Sequence, residues 1–140
     1  MPIRPENRNR YPKDWPVISK RIRDRANNKC EWCGVQNGAL GARSRDGTFL
    51  PAQPLGEMIS GLQWPQPGQW GWCGPASRQE YLRIIRVVLT TAHLDHQPEN
   101  CADANLSALC QQCHNRYDAP MRRAGIRQRR RNEMAIRELL

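Results

Sequence analysis

Two Cys-x2-Cys pairs stand far apart in this chain, Cys30-Glu31-Trp32-Cys33 and Cys110-Gln111-Gln112-Cys113. Zinc takes four thiolate or imidazole ligands in a tetrahedron, and two such knuckles brought together supply all four. No other feature constrains the fold as much, because the pairing forces Cys30 against Cys110 whatever lies between. The chain also needs a staple of this kind. Only 39% of its 140 residues are apolar, and a small core is commonly supplemented by a structural metal. In a secreted protein six cysteines could instead form disulfides, but paired Cys-x2-Cys motifs in a reducing cytoplasm point to Zn²⁺ at Cys30, Cys33, Cys110 and Cys113. The stretch from Met1 to Glu6 lacks the apolar centre of a signal peptide, and no apolar run of about 18 residues is present to span a membrane. The cytoplasm is therefore the expected compartment. Cys73 and Cys101 remain as free thiols.

Charge points to the partner. Lys and Arg number 22 against 13 acidic residues, a formal charge of +9, and nearly all the basic residues are Arg. The planar guanidinium suits phosphate oxygens, so nucleic acid is the expected partner, with a bare solvated surface as an equally open alternative. Residues 121–140 concentrate this charge in Arg122, Arg123, Arg127, Arg129, Arg130 and Arg131. After Pro120 the segment reads either as a basic helix laid on a phosphate backbone or as a disordered tail, making contacts that ignore sequence.

Along the chain, residues 1–13 are Pro- and Arg-rich and predict an extended basic arm. Asp14 can cap a helix with Pro16 in its first turn, and Trp15, Ile18, Ile22 and Ala26 form an apolar stripe, which predicts a helix over 14–26. The first knuckle follows. Residues 35–78 hold most of the glycines, many prolines and Trp64, Trp70 and Trp72, and predict a long ordered loop or insertion. Within it, Asp46-Gly47 marks a turn before a short strand at Thr48-Phe49-Leu50. The tryptophans are expected to cover a small core rather than to stack on nucleobases. Trp72-Cys73-Gly74-Pro75 resembles a thioredoxin redox motif, but Ala76 stands where the second cysteine would be required. A β-branched run then predicts one strand over 82–93. A polar loop broken by Pro98 follows, then a short extended piece over 105–109 and a helix from about Cys110 to Asp118. The fold class is α+β, a small zinc-stapled ββα domain over 14–120.

All three histidines, His93, His96 and His114, lie at the end of that strand or at the start of that helix. Neutral imidazole titrates near working pH and can act as a general base, and with oxygen ligands it can hold a divalent cation. The motif His93-Leu94-Asp95-His96, with Asn105-Leu106, Leu109-Cys110-x2-Cys113-His114 and Asp118, resembles the HNH endonucleases, or ββα-metal nucleases, in their four-cysteine zinc form. It is similar in particular to small phage and prophage HNH proteins, and the likeness covers about residues 30–33 and 85–118.

The resemblance implies a metal-dependent endonuclease that hydrolyses DNA phosphodiester bonds. It assigns Asn105 to orienting a histidine base, and His114, with Asp118 one helical turn later, to a catalytic Mg²⁺ or Mn²⁺. Two registers remain for the base. In the first, Asp95 is a metal ligand and His96 the base; in the second, which fits the loop spacing, His93 is the base. We favour the first because it fills the metal position. The alternative function is a zinc-stapled nucleic-acid-binding module without catalysis. Cleavage mode, DNA specificity, oligomeric state and partners in phage packaging or restriction lie outside the motif.

Overall fold

The computed structural model describes residues 3–140. The N-terminal segment is a 3-10 helix over Pro5–Arg10 rather than an extended arm. Pro5 sets φ for its first turn, and its far end is tied to a distant loop, with Arg10 Nε donating to Glu99 Oε1 at 2.6 Å and Nη2 to Gln97 Oε1 at 3.1 Å. Helix α1 spans Trp15–Arg25 and buries Ile18 and Ile22. Asp14 precedes it, but its side chain caps no amide, because its backbone lies outside the extended region that aims a cap inward. The helix ends through Asn27 and Asn28, both at positive φ, with the amides of 27 and 28 donating to the carbonyls of Asp24 and Arg23. Asn tolerates that left-handed exit better than most residues.

Residues 35–78 are not a loop. Strands β1 (Leu40–Arg43), β2 (Phe49–Pro51), β3 (Gly56–Met58), β4 (Gly61–Gln63) and β5 (Trp70–Cys73) occupy them. The anticipated strand over 82–93 is divided into β6 (Glu80–Arg83), β7 (Ile85–Arg86) and β8 (Thr90–His93). The division arises because its parts join different sheets: β6 pairs with β5, β7 with β1, and β8 with β9 (Leu106–Leu109), all antiparallel. Ala42, Leu50, Ala52, Cys73 and Ile84 form a small core beneath the inserted strands. Gly41 allows β1 and β2 to close, since a Cβ there would run into the Leu50 carbonyl. Trp70 and Trp72 do not cover this core. They alternate with buried Gly71 and Cys73 and point outward, 58% and 54% exposed.

The main core lies between α1, the β8–β9 hairpin and the first knuckle, and is built on Ile18, Ile22, Val87, Leu89, Leu106 and Leu109. The basic face of α1 helps to hold it in place. Arg25 Nη2 donates to Glu31 Oε1 at 2.8 Å and to the Leu106 carbonyl at 2.8 Å, and Arg21 pairs with Asp103 at 2.7 Å. Helix α2 follows β9 directly and spans Gln111–Leu139, passing through Pro120 and Gly125 without the anticipated break. Pro120 removes one backbone donor and frees a carbonyl in the preceding turn, but from that point every residue of the helix is exposed and the freed group can face solvent. Among the described residues no helix is long and apolar enough to cross a membrane.

Candidate functional site: a cysteine cluster and the histidines beside it

The knuckle at 30–33 and the N-terminus of α2 meet as the paired motifs demand. One ligand atom from each of Cys30, Cys33, Cys110 and Cys113 lies within 4.8 Å of the others. Sulfurs about 2.3 Å from a zinc ion at tetrahedral angles stand about 3.8 Å apart, and Cys33 Sγ and Cys110 Sγ are separated by 3.7 Å. The donor set therefore suits a structural metal such as zinc. Local geometry positions each ligand. The Gly34 amide donates to the Cys30 carbonyl at 2.8 Å while Gly34 takes φ +78°, and Cys110 caps α2 by accepting from the Cys113 amide at 3.5 Å. The Glu31 amide donates to the Ala108 carbonyl at 2.9 Å, which ties the knuckle to β9.

Electrostatics favour thiolate at Cys33. Arg43 Nη2 lies 3.2 Å from Cys110 Sγ and 3.5 Å from Cys33 Sγ. Burial alone would push the Cys33 thiol up, but hydrogen bonds from the Val35 amide, Arg43 and its cysteine neighbours outweigh it and bring it down to about 6. Burial pushes Cys110 and Cys113 up, so a cation that displaces their protons would supply the missing positive charge. Cys73 and Cys101 stand outside the cluster.

His114 follows Cys113 in the first turn of α2, so the cysteine cluster fixes its position. Its Nδ1 lies 2.7 Å from Thr90 Oγ1 on β8, and its Nε2 lies 3.3 Å from Asp118 Oδ2, one helical turn on. The other carboxylate oxygen of Asp118 lies 3.5 Å from His96 Nδ1. Asp118 thus bridges the two imidazoles. His96 reaches it from a left-handed backbone, φ +58°, with its ring stacked on Tyr117 at 5.0 Å. Tyr117 in turn donates to the Leu94 carbonyl and meets the edge of Trp32 at 5.3 Å. Burial holds His114 below the usual imidazole range, with Asp118 opposing the shift.

The remaining motif residues are placed differently. His93 is 9% exposed, stacked on Trp15 at 4.9 Å, and met edge-on by Tyr11 at 5.6 Å. Burial lowers its pKa, with Asp95 and Glu99 pulling the other way. Asp95 does not reach the cluster around Asp118. Its Oδ1 accepts from the Gln97 amide at 2.8 Å and Asn105 Nδ2 at 2.9 Å, and its Oδ2 accepts from Asn100 Nδ2 at 2.8 Å. Those bonds, led by the one from Asn100, hold its carboxyl at about 2. Asn105 closes the same clasp, accepting from the Asp95 amide at 3.1 Å and donating to the Asn100 carbonyl at 2.9 Å. The structure therefore brings His96, His114 and Asp118 together, with Asp95 and Asn105 tying the loop that carries His96.

Two clefts open on this cluster. One of about 700 Å³ runs along α2 and is lined by Arg4, Asn7, His96, Asp118, Arg122 and Arg129, among others. A second, of about 430 Å³, reaches past Asp118 and His114 to Thr90, Tyr11 and Trp15. The roles of Thr90, Tyr11 and Arg4 were not visible in the sequence, where each is an ordinary residue outside any motif. Arg122, Arg123, Arg127, Arg129, Arg130 and Arg131 are all exposed on α2. Comparison with protein-family models, curated proteins and solved structures finds no match to this chain.

Proposed function

We propose that this chain is a metal-dependent endonuclease that hydrolyses DNA phosphodiester bonds, of the HNH type its motif resembles. One observation carries the reading: His114 and Asp118, on a helix fixed by four cysteines, meet His96 from the preceding loop, and His96 and Asp118 open onto an Arg-lined cleft. His96 is the general base. Asp118 Oδ1 faces its Nδ1, which favours the tautomer with the proton on that nitrogen and leaves Nε2 to accept a proton from water. The water oxygen forms a bond to phosphorus, its proton passes to His96 Nε2, and the ester P–O bond opposite it breaks, the electron pair leaving with the ester oxygen, which takes a proton from solvent water. His114 Nε2 and Asp118 Oδ2 would hold Mg²⁺ or Mn²⁺, a cation that would offset the negative charge that grows during hydrolysis. Arg4, Arg122 and Arg129 bind the flanking phosphates. Asn105 acts one step removed, through the Asp95 clasp that sets the backbone of His96. His93 is a wall residue in this reading.

Conversion of supercoiled plasmid to nicked or linear forms tests it. Wild-type protein is expected to cut with added Mg²⁺ or Mn²⁺ and to stop in chelator, while His114→Ala loses about 100-fold or more in rate with its zinc content intact. Folded, zinc-loaded wild type that binds DNA without cutting it in Mg²⁺, Mn²⁺ or Ni²⁺ would instead establish the non-catalytic binding module.

A further inference from the structure

The inserted sheet carries a second surface that the cleavage chemistry leaves unused. In the β5–β6 hairpin Trp70 faces Arg83 and Trp72 faces Tyr81 across the strands. All four point away from the core, while Gly71 and Cys73 point into it. Tyr81 sits between the two indoles, with ring centroids 6.0 Å from Trp70 and 5.3 Å from Trp72. The three aromatics are each more than half exposed. Aromatic side chains carry most of the burial energy a small domain has available. Three left open on one face, beside an open cleft of about 340 Å³ lined by Gln53, Leu55 and Gln79, mark a place where something else lies.

We infer that this face binds unpaired nucleobases of a single-stranded nucleic acid. Base faces stack on Trp and Tyr whatever their sequence, and a guanidinium at the corner both stacks on bases and neutralises a phosphate. Arg83 is exposed and makes no ion pair among the described residues, in a chain whose formal charge is +9. A polyanionic strand with open bases fits that combination of rings and uncompensated charge. A paired duplex does not, because its base faces are closed within the stack. Gln79 at the rim offers one amide donor pair and one acceptor to base edges. Trp, Tyr and Arg also recur in protein interfaces, so a protein partner is the competing occupant.

Fluorescence anisotropy with labelled oligothymidylate and a blunt duplex of equal length tests the inference without requiring any cleavage. Wild-type protein is expected to bind the duplex with unquenched tryptophan emission, and to bind oligothymidylate with that emission quenched. The Trp70→Ala/Trp72→Ala double variant and Tyr81→Ala should each weaken that binding about tenfold or more. The phenylalanine versions should restore most of it, and zinc content and circular dichroism should stay those of wild type. Equal affinity of wild type and alanine variants for oligothymidylate overturns the proposal. Self-association abolished by the same alanine variants, with no competition from oligothymidylate, overturns it in favour of a protein interface.

Discussion

Replacing Cys110 with serine should unfold this domain, while the same change at Cys73 should not. Both thiols are fully buried, at 0% exposure, so the lost burial is alike, and serine at 110 can still accept from the Cys113 amide as a helix cap; membership of the four-cysteine cluster is what sets Cys110 apart. The main core offers six sizeable aliphatic side chains, Ile18, Ile22, Val87, Leu89, Leu106 and Leu109. At about 1.5–3 kcal/mol each, they contribute about 9–18 kcal/mol before chain entropy is counted. A structural zinc contributes about 10–16 kcal/mol near neutral pH. A zinc ion held there would thus be worth about as much as the main aliphatic core, and comparable to the roughly 5–15 kcal/mol of net stability a domain normally has. Metal analysis and far-ultraviolet circular dichroism check this together. Wild type and Cys73→Ser should carry one zinc per chain and melt cooperatively, whereas Cys110→Ser should lose the metal and show no cooperative melt. A Cys110→Ser protein with full zinc and an unchanged melt would refute the reasoning.

Three further outcomes follow from the packing. Ile22→Ala, at a site with 0% exposure between α1 and the hairpin, should cost about 2–5 kcal/mol by denaturant titration and leave zinc stoichiometry unchanged. Asn105→Ala removes three hydrogen bonds from the clasp around Asp95; amide exchange should accelerate over residues 95–105 and plasmid cleavage should fall while zinc is retained. His93→Phe should reduce acid sensitivity. Burial depresses the His93 pKa from the usual 6.5, so below that value the unfolded chain binds more protons and stability is lost as pH falls. The difference in urea midpoint between variant and wild type should therefore move in favour of the variant between about pH 7.5 and about pH 5.5.

The features legible in the sequence were those whose cause is local. Paired cysteines announce a tetrahedral site because metal chemistry sets the spacing. Pro16 with the Ile18–Ile22 stripe announces α1, and Asp46-Gly47 announces a turn, with Asp46 Oδ1 accepting from the Thr48 amide at 3.0 Å. The inserted sheets were hidden because their strands are very short and the links that tie the hairpins together span long stretches of chain: Leu40 opposite Arg86, and Ala52 opposite Cys73. Trp70 and Trp72 misled because their inward neighbours are Gly71 and Cys73, so the small residues face the core and the large ones face out. Strand alternation could not separate His93 from His96, since β8 ends at His93 and His96 sits in a left-handed turn. Asp118 was legible as a companion of His114 through the pitch of α2; its contact with His96 depends on a loop that no local pattern specifies.

The most direct test of the proposed chemistry compares turnover, metal binding and DNA binding in His96→Ala and His93→Phe under saturating Mn²⁺. If His96 takes the proton, His96→Ala loses turnover while still binding Mn²⁺ and DNA, and His93→Phe keeps cutting at a rate near that of wild type. Retained turnover in His96→Ala, with turnover abolished in a folded, zinc-loaded His93→Phe, would contradict it.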